Sequence, residues 1–214
     1  MFSTNNSLYK NISNDVLLTT FSKLTIPFDE KWQRIGINLS GGADSALLTY
    51  LLCTIIQRNN LNTKVDVITY QRCWETRPWQ GYISLQVFDK LKDMFPYIIE
   101  NRYTTYIPPE IEHGVIGASI NGKSGDQIIV GSYNKFAAWE YNLDAVYNAT
   151  SKNPDDLRED RMTNRDKDAE DGIITDLWFY SGKVKSTFVH PFRFVKKDWI
   201  VAQYHIHNIL DLYN

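Results

Sequence analysis

The hexapeptide Ser40-Gly41-Gly42-Ala43-Asp44-Ser45 is the part of this 214-residue sequence best equipped for chemistry. Two glycines let the backbone turn sharply and approach a ligand with no Cβ in the way. The loop runs straight into an apolar segment that reads as a helix. The unpaired N–H groups and the dipole of a helix start attract an anion, phosphate above all. Ser40 and Ser45 add hydroxyl donors. Asp44 would repel a bare phosphate, so it makes sense beside a cation that bridges carboxylate and phosphate, and Mg2+ is the natural choice. The competing reading is a plain glycine turn with Asp44 or Ser45 as a helix cap. The complete hexapeptide between a strand and a helix weighs against it.

The elements around the loop must hold it in place. Ile35 to Leu39 is a short apolar run that stops at the glycine pair and reads as a strand. Ser45 to about Gln57 is apolar on nearly every face, as a helix buried against a sheet would be. Asn59-Asn60 ends it, and Val65 to Tyr70 reads as a second strand. Strand, glycine turn, buried helix and strand make one right-handed parallel βαβ unit. The pattern continues with a helix over Ser84–Phe95 and an extended segment over Ile98–Tyr106. A fourth strand is expected at Gln127–Val130, ending at Gly131, and a partly helical stretch from Asn134 to about Tyr147. A last strand at Thr187–His190 is stopped by Pro191, and Trp199 to about Leu212 closes as a helix. Upstream, a helix from Ser13 or Asn14 to about Leu24 is ended by Pro27. Residues 153–172 carry dense charge of both signs and read as an exposed, mobile segment. The whole, residues 1–214, is one domain: a doubly wound, mainly parallel α/β sheet in three layers. Ligands in such sheets bind at the carboxyl ends of the strands. Asn38 and Leu39, Tyr70, Gly131 to Tyr133, and His190-Pro191 should therefore line one cleft.

Composition narrows the function. A hydrophobic content of 43% suffices for a core, and a net charge of −2 makes no case for a nucleic-acid or anionic-membrane surface. The two cysteines, Cys53 and Cys73, are too few for a four-cysteine zinc site or an iron–sulfur cluster held by this chain alone, so neither group is expected. Cys53 lies in the buried helix and should behave as a small hydrophobe. No signal peptide and no membrane-length apolar run is visible, and a cytoplasmic protein is expected.

Ser40 to Ser45 matches the Ser-Gly-Gly-x-Asp-Ser signature of the PP-loop ATP pyrophosphatases, the adenine nucleotide alpha hydrolase-like superfamily. It differs from the Walker loop, which needs Gly-Lys-[Ser/Thr]. His190-Pro191-Phe192, then Lys197-Asp198-Trp199-Ile200, resembles that family's late proline followed by Lys-x-x-Ile. The resemblance implies a Rossmann-like sheet of the HUP/PP-loop type, with ATP and Mg2+ as cofactors. Asp44 would hold the metal and act with Lys197 in catalysis. Asn38, Leu39, Ser40, Gly41, Gly42, Ala43, Asp44, Ser45, Tyr70 and Gly131 would bind the nucleotide, backbone groups near Ile37–Asn38 and Val67–Tyr70 framing the adenine. Attack on the α-phosphate would give an adenylated substrate and pyrophosphate, and an amine or ammonia would then displace AMP. The family's Gly-His/Asn-x-x-Asp-type segment aligns with Gly131-Ser132-Tyr133-Asn134-Lys135, which lacks the acidic pair. The tail from Pro191 most resembles 7-cyano-7-deazaguanine synthases, whose four zinc cysteines are missing. A sulfur-handling relative, similar to the phosphoadenosine phosphosulfate reductases or tRNA thiolases, would have to rely on Cys73. A non-catalytic nucleotide-binding module is the third possibility.

Other residues carry weaker signals. Trp74-Glu75-Thr76-Arg77-Pro78-Trp79 follows the second strand, and Arg77 with Trp79 could hold a planar or anionic co-substrate. A hydrophobic lid is the plainer alternative. Tyr133, Lys135 and Arg161 are further candidates for a small-molecule or nucleotide-like acceptor. Arg158, Arg161 and Arg165 could close as a lid, or simply be solvated. Lys196 and Lys197 could mark a solvated helix start instead of a phosphate contact. His205-Ile206-His207 places its histidines on different faces of a helix and reads as surface or cap residues. His190 reads as a paired core histidine. A homodimer fits the family's habit.

Overall fold

The computed structural model describes residues 24, 26–72, 78–107, 125–151, 173–174, 177–179 and 182–212. Strand β1 (Arg34–Asn38) leads through the hexapeptide into α1 (Ala43–Arg58), and β2 (Lys64–Arg72) returns parallel to β1. There follow α2 (Gln80–Met94), β3 (Ile99–Ile107), α3 (Gly125–Glu140) and β4 (Ala145–Tyr147). Short strands β5 (Ile173–Ile174), β6 (Leu177–Phe179), β7 (Gly182–Val184) and β8 (Thr187–Val189) precede α4 (Lys197–Ile206) and a 3-10 turn, Leu210–Leu212. The main sheet runs β3-β2-β1-β4-β8-β5, parallel throughout except for antiparallel β5 at the edge. Strands β6 and β7 pair separately.

Two cores flank the sheet and make the three layers. On one face Ile35, Ile37, Val65, Val67 and Tyr147 pack against α1, α2 and α4 through Leu47, Leu51, Val87, Leu91, Trp199 and Tyr204. On the other Ile68, Tyr70, Leu143 and Val146 meet Ala137 and Ala138 of α3. Helix α1 is apolar all round because it is wedged inside the first core. Ala46, Leu47, Leu48, Leu52 and Cys53 are fully buried, each larger side chain contributing roughly 1.5–3 kcal/mol. It stops where expected: Asn59 is the C-cap, and Asn60 takes φ 50°, a left-handed value that asparagine tolerates.

The expected βαβ unit, the helix from Ser84, the extended segment from Ile98, the last strand and the closing helix are all present. The expected fourth strand is not. Gln127–Val130 belongs to α3, and the fourth parallel strand is Ala145–Tyr147. A run of three β-branched residues, Ile128 to Val130, does not by itself separate strand from helix. The burial of Asn134, Ala137 and Ala138, with Val130 and Tyr133 partly covered, follows the helical period instead. Tertiary contacts then select the three-residue strand. Asp144 Oδ2 accepts the N–H groups of Gln33 at 2.8 Å and Arg34 at 3.0 Å, which sets Ala145 across from Ile35. The helix expected before Pro27 and the charged segment 153–172 lie outside the described residues.

The start of the sheet is pinned by an ion pair between half-buried Arg34 and buried Asp66. Arg34 Nη1 donates to Asp66 Oδ2 at 2.8 Å, and Asp66 is completely buried. Asn101 completes that carboxylate from β3 with its backbone N–H and its Nδ2. The hydrogen bond to Asp66, ahead of the Coulomb attraction, holds the Arg34 guanidinium above its ordinary range.

Candidate functional site

Strand order reverses between β1 and β4, since β2 lies on one side of β1 and β4 on the other. This is the switch point of a doubly wound sheet, where the loops leaving two neighbouring strands diverge and open a crevice. The hexapeptide leaves β1 at that place.

Its geometry follows from its residue types. Gly41 has φ +78°, and a Cβ there would lie 2.8 Å from the Ser84 backbone nitrogen and 2.9 Å from Ile83 Cγ2. Glycine is thus required at 41 both by conformation and by the first turns of α2 pressed against it. Gly42 is different: its φ is ordinary, and the nearest atom to an added Cβ is Ser40 Oγ at 3.5 Å. Its bare backbone faces open space. Gly42 is the N-cap of α1 and gives no side-chain cap. The first intrahelical bond is Ala46 N–H to Gly42 C=O, so the N–H groups of the first turn are presented outward.

The two serines brace the loop. Ser45 Oγ donates to Gly42 C=O at 3.0 Å and accepts from Ser40 N–H at 3.1 Å. Its single proton being used, the 3.1 Å contact between the two hydroxyls has Ser40 as donor. Leu39 is anchored through both backbone groups, its N–H to Ile68 C=O and its C=O from Thr69 Oγ1.

Asp44 is the meeting point. Lys197, the first residue of α4, forms an ion pair with Asp44 Oδ2, and Ser151 Oγ donates to the same oxygen at 2.8 Å. Tyr204, further along α4, donates its hydroxyl to Ala43 C=O at 2.7 Å and fixes that helix on the start of α1. Three loops from the carboxyl ends of β1, β4 and β8 therefore converge on one carboxylate beside an uncapped helix N-terminus. Ser151 was not visible as a site residue in the sequence. It follows a three-residue strand, and only the placement of β4 reveals its position. Its loop is shaped by Asn148, whose Oδ1 accepts from Thr150 N–H at 2.9 Å and Thr150 Oγ1 at 2.6 Å.

The remaining candidates fall into groups. Asn38 ends β1, with both ends of its amide buried and without a partner among the described residues. Each such orphan costs about 1–3 kcal/mol. Tyr70 is buried, and its hydroxyl contacts Asn134 Oδ1 and the Val130 carbonyl, tying β2 to α3. Burial, then Tyr133, pushes its hydroxyl well above the ordinary phenol range. Tyr133 stands edge-on to Tyr70, and burial raises its hydroxyl to about 12. Gly131 does not follow a strand end: it lies within α3, because the segment holding it is helical, and a Cβ added there would meet only open space. Lys135 is half-buried on the same helix. Trp79 is the exposed N-cap of α2, at 56%. Arg77, Arg161 and Cys73 lie outside the described residues. Burial, with Arg193 adding to it, lowers His190. His207 caps α4 edge-on to Tyr50, and His205 is exposed. Cys53 is buried, and desolvation pushes its thiol far up.

No protein-family model matches the sequence, and no curated protein matches it. Solved structures do match. The U34-tRNA thiolase NcsA from Methanococcus maripaludis, determined with its [4Fe-4S] cluster, superposes with a TM-score of 0.54 at 11% identity over 83% of this chain. This chain spans 58% of the thiolase's length. NAD+ synthetase from Burkholderia pseudomallei matches at TM-score 0.44 and 11% identity, over 85% of this chain and 62% of that one. A universal stress protein in complex with cAMP matches at 0.32 and 14%, over 54% and 70%. Among the described residues no helix is long and apolar enough to cross a membrane. The chain shares the fold of that thiolase, a mainly parallel α/β sheet flanked by helices, and Ser40–Ser45 lies at the switch point of the sheet.

Proposed function

We propose that this chain binds Mg·ATP at Ser40–Ser45 and cleaves it between the α- and β-phosphates to adenylate an acceptor. The observation that carries this reading is the convergence of Asp44, Ser151 and Lys197 on the uncapped N-terminus of α1. The pyrophosphate portion would rest on the first-turn N–H groups and the bare Gly42 backbone. Lys197 would turn from Asp44 to the phosphates, neutralising charge as pyrophosphate departs.

Mg2+ fits the donor set. It is commonly held by one or two carboxylates together with phosphate oxygens, and Asp44 supplies one carboxylate oriented by a neutral hydroxyl. When bound, the ion would supply charge neutralisation of the phosphates.

In the first step an acceptor carboxylate or carbonyl oxygen attacks the α-phosphorus. The bond to the bridging oxygen breaks, and pyrophosphate leaves with that electron pair. An amine or ammonia then attacks the activated carbon, loses a proton, and expels AMP. The acceptor is a small or nucleotide-like molecule, with Arg77, Trp79, Lys135 and Arg161 as its candidate contacts. Tyr133 is already engaged with Tyr70 and Tyr141, so it would serve through its ring. The sulfur-transfer reading must rest on Cys73, because Cys53 is buried and its thiol is held protonated.

Mass spectrometry of ATP incubated with the protein, Mg2+ and candidate metabolites tests the proposal. AMP and pyrophosphate support it, whereas ADP and phosphate sink it. Binding of intact ATP with no turnover favours the non-catalytic module. Loss of turnover in Cys73→Ser favours sulfur chemistry.

A further inference from the structure

Asn38 carries a buried carboxamide whose Nδ2 and Oδ1 both lack a hydrogen-bond partner among the described residues. It is the last residue of β1, two along from Gly36 and so on the same face of the sheet. A Cβ on Gly36 would meet Leu143, Ile68 and Val146, which places that face on the α3 side. Asn38 pairs with Ile68 of β2. Because Ile37 pairs with Tyr147, Asn148 is next in line beside it on the β4 side. The amide thus stands at the carboxyl end of the switch point, two residues before the phosphate loop.

The polar groups nearby are already committed. Both backbone groups of Leu39 are bonded to β2. Asn148 Oδ1 is taken by Thr150, and the Tyr70 hydroxyl by α3. Folded proteins rarely bury an amide with neither end satisfied, and an apolar side chain would sit beside Ile68 with no such cost. An unmet donor and an unmet acceptor, held side by side in one plane, are complementary to a planar ligand edge that offers the reverse pair.

We propose that the Asn38 carboxamide reads the base of the bound nucleotide, Nδ2 donating to a ring nitrogen of adenine and Oδ1 accepting from its 6-amino group. The proposal rests on the Mg·ATP reading above and assigns a side chain to base recognition. Paired amide contacts of this kind are how asparagine recognises adenine elsewhere, and they discriminate by roughly ten- to a hundredfold.

The test is a cycle of binding measurements by titration calorimetry on the full chain. The probes are Mg·ATP, Mg·purine riboside triphosphate, which lacks the 6-amino group, and Mg·tripolyphosphate, which lacks the base. Wild type should prefer ATP over the purine analogue by roughly tenfold, and Asn38→Leu should erase that preference. Tripolyphosphate affinity should be the same in both. Asn38→Asp keeps the size, the polarity and the acceptor, so it retains the 6-amino preference while binding ATP more weakly; it also serves if the leucine variant does not fold. An equal preference in wild type and Asn38→Leu overturns the assignment, as does a parallel loss of tripolyphosphate binding. A wild-type chain that binds tripolyphosphate but not ATP overturns it too. A chain that binds neither overturns the nucleotide reading beneath it as well.

Discussion

Lys197 and Asp44 form an ion pair across 153 residues of chain, joining the first residue of α4 to the first turn of α1. The Lys197 side chain is 53% exposed and Asp44 20%, so the pair adds little to stability and its value lies in position. It parks a cation beside the helix start where phosphates would arrive.

Lys197→Met should therefore leave the urea midpoint nearly unchanged while cutting pyrophosphate release by about a hundredfold or more, the scale set by losing one charge-stabilising group. Asp44→Asn should cost at least as much and should also abolish the response to added Mg2+. A continuous pyrophosphate assay over a Mg2+ series measures both. If Lys197→Met turns over ATP at the wild-type rate, the lysine is a solvated helix start after all.

Ser151 acts on Asp44 through a single 2.8 Å hydrogen bond. Ser151→Ala removes a bond to a charged acceptor, about 1.5–3 kcal/mol, which corresponds to at least about a tenfold rise in the Mg2+ concentration for half-maximal activity. The rate at saturating Mg2+ should be far less affected, and Ser151→Thr should restore the wild-type curve. An unchanged Mg2+ dependence in the alanine variant would remove Ser151 from the site.

The two glycines should separate stability from binding. Gly41→Ala meets a positive φ and the Ser84 backbone at once, so it should lower unfolding free energy by roughly 1–3 kcal/mol and weaken nucleotide binding as α2 shifts. Gly42→Ala has room and an ordinary φ, so thermal unfolding should be unaltered. Its new methyl nevertheless enters the space proposed for phosphate, and tripolyphosphate affinity should fall sharply. Equal effects of the two substitutions on binding and on stability would contradict this division.

Tyr70 is expected to act on the fold and not on ATP. Tyr70→Phe strands the Asn134 amide and should cost about 1–3 kcal/mol in chemical denaturation, with the KM for ATP unchanged. The pH dependence has a definite sign. Burial raises the Tyr70 and Tyr133 hydroxyls in the folded state above the unfolded value of roughly 10. The unfolded chain then releases these protons first, so stability holds below about pH 10 and falls as pH rises beyond it. Urea midpoints at pH 8 and pH 11 should show this loss, smaller in Tyr70→Phe. An alkaline loss identical in both proteins would exclude Tyr70 as a source.

The fourth strand is set by tertiary contacts and not by local residue type. Ile128-Ile129-Val130 has the residue types of a strand, while Ala145–Tyr147 is too short for any alternation to register. The true strand is selected by non-local bonds, those of Asp144 to Gln33 and Arg34, 111 and 110 residues away. With that one element moved, Gly131 left the strand ends and Ser151 came to them.

Sequence alone determined the βαβ unit and the character of its loop. Those depend on local chemistry: glycines that permit a turn, a helix apolar on nearly every face that must be buried, a carboxylate and hydroxyls at a helix start. Tertiary structure alone decided which distant residues share the site. That Asp44 takes Ser151 and Lys197 as partners depends on strand order and on how α4 docks through Tyr204, and these are outcomes of packing across the whole sheet. The same holds for Asn38. Its residue type is plain in the sequence, but only the assembled sheet and its packing bury its amide and leave both ends unmatched among the described residues.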